Sequence, residues 1–258
     1  MAMLKVHGID VFYGNVQALF DVSIAVHEDE IVSIIGANGA GKTTLIHLLA
    51  GLQEPDEGQV FLLGRDLGEM KEEERTLFRR RHISLVLQEG ALLPGLTVEE
   101  NILLPMAMDT GRLVEEERLE QILEALGLTR LRRRFPARLS GGERQRVYIA
   151  MALAQDTKVI FLDEPTTYLD LRHQFELLEL LEMLKQRGKT ILFVLHDLAH
   201  ALRYSDRIVL MEGGKLAGQG TPAQILESGM LDAVFGICTH AAPDGYWFTP
   251  QHGDAGRF

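Results

Sequence analysis

The residues best suited to chemistry form a glycine-rich stretch, Gly36-Ala37-Asn38-Gly39-Ala40-Gly41-Lys42-Thr43-Thr44. Its glycines allow a sharp turn that brings backbone N–H groups close to a polyphosphate, and Lys42 adds a full positive charge. Thr43 is placed to hold Mg²⁺ through its hydroxyl group. An apolar run, 31–35, precedes the stretch and a helical pattern of leucine and isoleucine follows it, which is the order strand, loop and helix. We therefore predict that this loop binds a nucleoside triphosphate with Mg²⁺, in preference to the alternative of an ordinary glycine-rich turn.

A second pair of glycines opens a predicted helix far downstream. The sequence there is Leu139-Ser140-Gly141-Gly142-Glu143, with Ser140 as the expected N-cap. Uncovered N–H groups at the positive end of a helix predict a second anion-binding site. One triphosphate does not need two binding loops so far apart in the chain. We therefore predict two copies of the protein, each offering this turn to the nucleotide of the other.

An apolar run, 159–162, ends in two carboxylates, Asp163 and Glu164. A strand that is buried on both faces tolerates acidic residues only at its tip. There, Asp163 can reach Mg²⁺ through water, and Glu164 can polarise an attacking water molecule. The alternative is that the two acids cap a helix, since Pro165 follows them.

Two further polar residues follow runs that we predict to be buried strands. Gln88 follows the run 83–87, and His196 follows the run 190–195. The carboxyl ends of strands are where α/β sheets bind ligands. Each residue alone would be interpreted as structural, but at the same sheet edge as Glu164 the histidine could contact the terminal phosphate.

The composition is ordinary for a globular protein and excludes several classes. With 258 residues, 46% hydrophobic and 24% charged, the chain can bury a core without disulfides, and its one cysteine, Cys238, excludes an internal disulfide. The net charge of −11 argues against nucleic acid as a partner bound by broad electrostatics. No apolar run approaches the ~18 to 20 residues of a membrane span, and we find no secretion signal. Any membrane association is therefore expected to depend on a partner.

The elements that position these residues follow from hydrophobic periodicity. Alternating apolar residues over 4–26 predict an antiparallel sheet edge, and Tyr13 lies on the loop between its strands, where an aromatic ring could stack on a base. From 89 to about 154 the pattern is almost entirely helical, which predicts a helical insert in a strand-and-helix domain.

Two arginine clusters and the C-terminal tail lie outside these elements. The arginine clusters near Arg80 and Arg132 are expected to be solvated helix ends. The tail from Pro222 is predicted to contain one helix and then a loose, aromatic-containing end, 246–248.

Together, these motifs resemble those of the ATP-binding subunits of ABC transporters, over roughly residues 4–226. The specific feature is the order of phosphate loop, Leu-Ser-Gly-Gly-Glu signature and apolar strand ending in Asp-Glu, because P-loop kinases and GTPases lack the second element. The resemblance implies an α/β fold: a P-loop NTPase core with a mixed sheet and an antiparallel edge subdomain, into which an α-helical subdomain is inserted. The implied divisions are the N-terminal part of the ATP-binding core (1–88), the helical insert with the signature (89–154), the C-terminal part of the core (155–220) and a tail (221–258).

The resemblance also implies roles for single residues. Tyr13 stacks on adenine, Gln88 senses Mg²⁺ and the membrane partner, Glu164 is the catalytic base, and His196 is the γ-phosphate switch that acts with Lys42. Asp170 lies at the dimer contact. Mg²⁺ is held by Thr43, Gln88 and Asp163. The residues that complete the ATP site are Gly36, Asn38, Gly39, Ala40, Gly41, Thr44, Ser140, Gly141, Gly142 and Glu143.

Three segments resemble different groups within the family. In the opening, Tyr13-Gly14 together with the phosphate loop 36–44 is similar to branched-chain amino acid importers, and 92–101 is similar to lipoprotein and macrolide exporters. The region 166–222 is similar to importers of iron-siderophores, haem and cobalamin, and it has the most weight because it is longest. The resemblance therefore implies an ATPase that drives import of an iron complex, haem or cobalamin. The alternatives are export or lipoprotein release, branched-chain amino acid import, and a soluble ATPase of iron-sulfur cluster assembly.

The resemblance also implies partners and a location. The partners are a second copy of the chain and integral membrane permease subunits, and a periplasmic or extracellular substrate-binding protein is left open. Nucleic acid is not among them. The implied location is the cytoplasmic face of the inner or plasma membrane, where the permease holds the subunit through a groove edged by 91–98.

Overall fold

The computed structural model describes residues 2–87, 92–107, 115–243 and 245–251. The chain forms two compact units. The discontinuous unit consists of residues 1–69 and 194–258, and the continuous unit of residues 70–193. Gln88 lies outside the described residues, so its predicted role stays a prediction. No helix within these ranges is both long enough and apolar enough to cross a membrane.

The discontinuous unit contains an antiparallel sheet with the strand order β2-β1-β4-β5. Its strands are β1 (Ala2–Tyr13), β2 (Val16–His27), β4 (Glu57–Leu62) and β5 (Arg65–Asp66). Positions along β1 and β2 alternate between buried and more exposed over most of their length, and the buried ones are apolar, as expected for a sheet with one covered face. The predicted antiparallel sheet edge is confirmed, and β1 and β2 are its two long strands.

The same unit contains the strand order β10-β9-β3, in which β3 is parallel to β9 and β10 is antiparallel to β9. These strands are β3 (Ile31–Gly36), β9 (Arg207–Glu212) and β10 (Lys215–Gly220). Every residue of β3 is buried, which explains why this run is apolar without alternation. Helices α1 (Lys42–Leu49) and α7 (Leu198–Tyr204) belong to this unit.

The tail of the discontinuous unit differs from the prediction of one helix and a loose end. It forms two short helices and a hairpin: α8 (Pro222–Glu227), α9 (Met230–Phe235), β11 (Ile237–Ala242) and β12 (Gly245–Pro250). Thr239 connects the hairpin to α9 by hydrogen bonds. Its N–H and its hydroxyl group donate to the Asp232 carboxylate at 3.1 and 2.5 Å. His240 stacks on the directly opposite Trp247, with ring centroids 4.0 Å apart. Cross-strand aromatic pairing of this kind stabilises a hairpin that has little apolar alternation.

The continuous unit contains three strands in the order β8-β7-β6, with β6 and β7 parallel, and most of the helices. Its elements are α2 (Glu72–His82), β6 (Ile83–Val86), α3 (Val98–Ala107), α4 (Glu116–Ala125), α5 (Gly141–Ala154), β7 (Val159–Asp163), α6 (Leu171–Gln186) and β8 (Thr190–Val194). The helical character of 89–154 is confirmed where it is described, and the apolar residues Leu119, Ile122, Leu123 and Leu126, at helical spacing on and just after α4, are buried. The mixed α/β fold class is confirmed.

The two arginine clusters have different environments. Arg79, Arg80 and Arg81 lie in the last turn of α2, a helix without buried residues, as predicted. The interpretation of Arg132 as a solvated helix end is wrong. Its guanidinium donates to Glu99 through two bonds of 2.7 Å, to Glu116 at 2.9 Å, and also to Glu120.

The backbone around Arg132 explains this ion cluster. The N–H of Glu99, in the first turn of α3, donates to the carbonyl of Arg132 at 3.0 Å. The loop therefore folds over the start of α3 and places the guanidinium against acids of α3 and α4. Hydrogen bonding to Glu99 raises the pKa of Arg132 further above its ordinary value, and the same bond lowers the pKa of the Glu99 carboxyl.

Candidate functional site

The phosphate loop connects β3 to α1 in the discontinuous unit, as predicted. Gly36 is the last residue of β3, and a Cβ atom there would lie 2.3 Å from the carbonyl oxygen of Met211 on β9. Gly41 has φ +91°, and a Cβ atom there would lie 2.6 Å from Leu19 Cδ2. Both positions therefore require glycine because of the packing around the loop. Gly39 has φ +78° with open space around it, so it requires glycine for its backbone conformation alone.

Lys42 lies inside this loop. The side chain is only 6% exposed, and Nζ donates to the carbonyl oxygens of Gly36 at 2.9 Å and Ala37 at 3.0 Å. A buried ammonium group is costly unless polar groups surround it. The loop thus holds a full positive charge at the point where a polyphosphate would be bound.

The start of α1 leaves room for an anion. Gly41 is the N-cap residue and provides no side-chain cap, and the first turn contains no acidic residue. Helix N–H groups without a side-chain cap are free to bind phosphate, and the helix dipole favours negative charge there. Ala37, Asn38 and Gly39 are exposed, as is Thr43. These features fit a nucleoside triphosphate, with the Thr43 hydroxyl available to Mg²⁺.

Two more predicted residues lie in the same unit. The N–H of Leu195 donates to the carbonyl of Ile34 on β3 at 3.2 Å, so the exposed His196 lies beside the end of β3, from which the phosphate loop starts. Tyr13 ends β1 with its side chain 52% exposed and its hydroxyl 2.8 Å from Gln53 Oε1. Gln53 was not predicted, and nothing in its sequence context distinguishes it from other loop residues.

The acidic strand tip lies in the continuous unit. Asp163 ends β7 and is 1% exposed, as expected for the tip of a strand buried on both faces. Glu164 follows with φ +51°, a conformation that costs a non-glycine residue free energy. The Thr167 N–H donates to the Glu164 carbonyl at 3.2 Å, and the Thr167 hydroxyl donates to Glu164 Oε2 at 3.4 Å. The chain therefore turns sharply here, and the Glu164 carboxylate makes a long hydrogen bond with Thr167. The alternative that these acids cap a helix is not what the structure shows, because Asp170 caps α6.

The Ser140 turn opens α5 in the same unit, and Ser140 is its N-cap as predicted. Ser140 Oγ accepts a hydrogen bond from the Glu143 N–H at 3.3 Å, and Glu143 Oε2 accepts one from the Ser140 N–H at 2.7 Å. This capping box lowers the pKa of Glu143 through the backbone hydrogen bond from Ser140. The Glu143 carboxylate thus has a structural partner, and its predicted contact with nucleotide stays a prediction.

The structure brings the Ser140 turn next to the segment that follows Glu164. A Cβ atom at Gly141 would lie 3.6 Å from Tyr168 Cβ, and one at Gly142 would lie 3.0 Å from the Tyr168 carbonyl oxygen. Tyr168 has φ +69° and is 72% exposed. This contact could not be predicted, since Tyr168 follows two threonines in a loop and no local pattern links it to the Ser140 turn.

Comparison with known proteins adds to this geometry. The family model described as ABC transporter matches residues 19–167, more than half of the chain. The achromobactin transport ATP-binding protein CbrD of Dickeya dadantii (strain 3937) is 38% identical over 251 residues, which cover 92% of this chain and 89% of that protein. The iron(3+)-hydroxamate import ATP-binding protein FhuC of Bacillus subtilis (strain 168) is 36% identical and covers 95% of this chain and 91% of its own length.

A solved structure is similar as well. It is a dimeric post-hydrolysis state of an ATP-binding cassette bound to ADP and Pi, with a TM-score of 0.79, 33% identity, and coverage of 85% of this chain and 99% of that chain. The family match, the two relatives and the geometry of the phosphate loop all indicate an ATP-binding subunit of an ABC transporter. The chain therefore belongs to the ABC transporter family, as an ATP-binding subunit whose ATPase activity is coupled to transport.

Proposed function

We propose that two copies of this chain enclose two ATP·Mg²⁺ between them. Each phosphate loop holds one nucleotide, and the Ser140-Gly141-Gly142 turn of the other copy closes that site. The observation that carries this proposal is the pair of helix starts: α1 begins with the buried Lys42 charge, and α5 begins at the exposed Gly141. The dimeric form of the similar cassette bound to ADP and Pi supports it.

The chemistry assigns a task to each residue. The phosphate-loop N–H groups and the Lys42 ammonium bind the β- and γ-phosphates, and the Tyr13 ring covers the adenine. Thr43, Asp163 and Gln88 would hold Mg²⁺, which when bound would supply positive charge to the phosphate oxygens. Lys42 gives up its two carbonyl acceptors for phosphate oxygens, which are charged and therefore stronger partners.

Glu164 acts as the general base. Its carboxylate takes a proton from a water molecule as that water attacks the γ-phosphorus, and the bond from that phosphorus to the bridging oxygen of ADP breaks. The turn at Glu164 places its side chain at the end of β7, within a long hydrogen bond of Thr167. His196 donates a hydrogen bond to the γ-phosphate and thereby senses whether the phosphate is still attached.

We infer that the transported cargo is a ferric siderophore that moves inward through separate membrane permease subunits. The support is the similarity along nearly the whole chain to an achromobactin transport protein and an iron(3+)-hydroxamate import protein. The resemblance to such importers depends on the segment 166–222. Both matches include this segment, because they cover 92% and 95% of this chain. Peripheral attachment at the cytoplasmic face of the membrane, and a substrate-binding protein that delivers the cargo, follow from this assignment.

The catalytic assignment is tested by Glu164→Gln in the full chain. We expect this variant to bind ATP, lose turnover and form a stable dimer with ATP, because the amide cannot accept the proton. Glu179→Gln, an exposed position on α6, is the matched control and should hydrolyse ATP normally. ATP binding, phosphate release and mass by light scattering are measured together. Rapid hydrolysis by Glu164→Gln contradicts the role of Glu164.

The binding assignment is tested by Lys42→Ala, which should weaken binding of the triphosphate itself. Unchanged nucleotide affinity would contradict the phosphate-loop assignment. The cargo is tested with the co-purified permease in proteoliposomes, where uptake of radioactive ferric hydroxamate is compared with uptake of haem and cobalamin. Outward movement, or uptake of another cargo without the ferric chelate, contradicts the siderophore assignment and leaves the ATPase assignment intact.

A further inference from the structure

A cavity of about 540 Å³ lies within the continuous unit, between α4, the end of α5 and α6. Its volume is in the range of about 300 to 1,000 Å³ that is typical of small-molecule sites. All of its lining residues belong to the continuous unit, and none of them is among the residues assigned above to ATP or Mg²⁺. The proposed function therefore does not account for it.

The walls of the cavity are aliphatic. They are formed by Ile122, Leu153, Ile160, Leu180, Met183 and Leu184. No aromatic ring is among the described residues that line it. Ile122, Leu153 and Ile160 are buried, whereas Met183 is 48% exposed. Such walls favour an alkyl chain over a planar aromatic ligand, because no ring is present to stack on it.

The polar residues of the cavity carry excess positive charge. Three cations line it, Arg118, Arg187 and Lys189, and one acid, Asp156. Arg118 and Lys189 share that acid: Arg118 Nη2 lies 2.8 Å and Lys189 Nζ lies 2.7 Å from Asp156 Oδ1. Burial alone would raise the pKa of Asp156, but hydrogen bonds from Arg118 and Lys189 outweigh burial and lower it. One ionised carboxylate thus balances only one of the three cations.

Two donors at the cavity are left for a ligand. Among the described residues, the Arg187 side chain has no ion-pair partner, and the buried Nε of Arg118 has no hydrogen-bond acceptor. The Arg118 Nε is buried without a partner, which costs free energy that an anionic ligand would recover, whereas Arg187 is exposed and offers a solvated positive charge. Arginine also binds carboxylates in a bidentate geometry that fits one end of a chain-like ligand.

We propose that this cavity binds a small aliphatic carboxylate, with its alkyl chain along the walls and its carboxylate at Arg187 and Arg118. The site is separate from the residues of ATP hydrolysis, so its test does not depend on them. Decanoate is the probe, because it combines one carboxylate with an unbranched chain. Two control ligands are used. Decanol is neutral and tests the need for the carboxylate, and acetate has almost no apolar part and tests the need for the alkyl chain.

Binding is measured by calorimetry on the full chain with saturating ADP·Mg²⁺, so that nucleotide sites do not contribute heat. We expect saturable binding of decanoate at one site per chain and at least tenfold weaker binding of decanol and acetate. Arg187→Gln removes one charge-assisted hydrogen bond and should weaken decanoate binding by about tenfold. Arg130→Gln removes the same charge at an exposed position outside the cavity and should leave binding unchanged.

Two variants test the cavity itself. Ala125→Trp fills it from an exposed position of α4, and Met183→Glu places a like charge on its wall. Both should abolish decanoate binding while the circular dichroism spectrum stays that of the wild type; if one variant does not fold, the other decides. Binding that survives in a folded variant, decanol that binds as tightly as decanoate, or no saturable binding of decanoate would each overturn the proposal.

Discussion

The capping box at the start of α5 allows helix stability and nucleotide binding to be separated at Ser140. Ser140→Ala removes the bond from the Glu143 N–H to Ser140 Oγ, which is 3.3 Å long, and keeps the 2.7 Å bond from the Ser140 N–H to the Glu143 carboxylate. Loss of an N-cap side chain costs about 0.5 to 2 kcal/mol, and the long bond places this one at about 0.5 to 1 kcal/mol. For a chain of this size, that loss lowers Tm by about 1 to 4 °C.

The chain provides a matched control in its tail. Thr221 opens α8 with the same capping box: the Gln224 N–H donates to Thr221 Oγ1 at 3.3 Å, and the Thr221 N–H donates to Gln224 Oε1 at 2.9 Å. Thr221→Ala should therefore show a similar thermal loss without a change in ATPase activity. Ser140→Asp should keep Tm, because aspartate is a good N-cap, and lose ATPase activity, because it places a carboxylate against the triphosphate. We expect that loss to be at least about tenfold.

The assay combines thermal unfolding, followed by circular dichroism, with phosphate release over a range of ATP concentrations. If Ser140→Asp hydrolyses ATP at the wild-type rate, Ser140 does not face a nucleotide. If Thr221→Ala and Ser140→Ala lose the same fraction of activity, the effect of Ser140 is one of stability alone, and the shared-site proposal loses its support at this residue.

Two further predictions concern stability. Gly36→Ala should lower the yield of folded protein or cost more than about 2 kcal/mol, because its Cβ meets a backbone carbonyl, whereas Gly39→Ala should fold at a cost of about 1 kcal/mol for its positive φ; thermal unfolding compares the two. The pKa of Glu99 is lowered in the folded state, so its stabilising contribution is present above its unfolded pKa and is lost as the pH falls through the folded value. In Arg132→Gln, Tm should therefore decrease less between about pH 5 and 3 than it does in the wild type. An equal decrease in both proteins would contradict a stabilising interaction between Glu99 and Arg132.

Much of the fold could be predicted because its buried strands are continuous apolar runs. The runs before Gly36, Glu164 and His196 are all strands in the structure, and every residue of β3, β7 and β8 is buried. Strands covered on both faces tolerate acidic residues only at their ends, and Glu164 follows directly after such a run. The phosphate loop could be predicted for a different reason, because the spacing of its glycines before Lys42 and Thr43 is a specific pattern. The structure requires glycine at Gly36 because of packing and at Gly39 because of its positive φ.

The ion cluster of Arg132 could not be predicted, because its acids belong to two helices that are distant in sequence. Charge spacing in a sequence predicts ion pairs only between residues of the same helix or strand. Arg132 lies on a loop, so its spacing from these acids carries no such prediction. The tail hairpin was missed for a different reason. Its strands mix polar and aromatic residues without clear alternation, although the sequence Pro243-Asp244-Gly245 is a turn signal that could have indicated it.

The stacked pair of His240 and Trp247 has a practical consequence for solution work. Trp247 is the only tryptophan in the sequence, so intrinsic indole emission reports the state of the hairpin and of nothing else in the chain. A shift in that emission when ATP is added means that the hairpin has responded. A silent titration means only that the hairpin kept its arrangement, and nucleotide affinity must then be read with a labelled nucleotide.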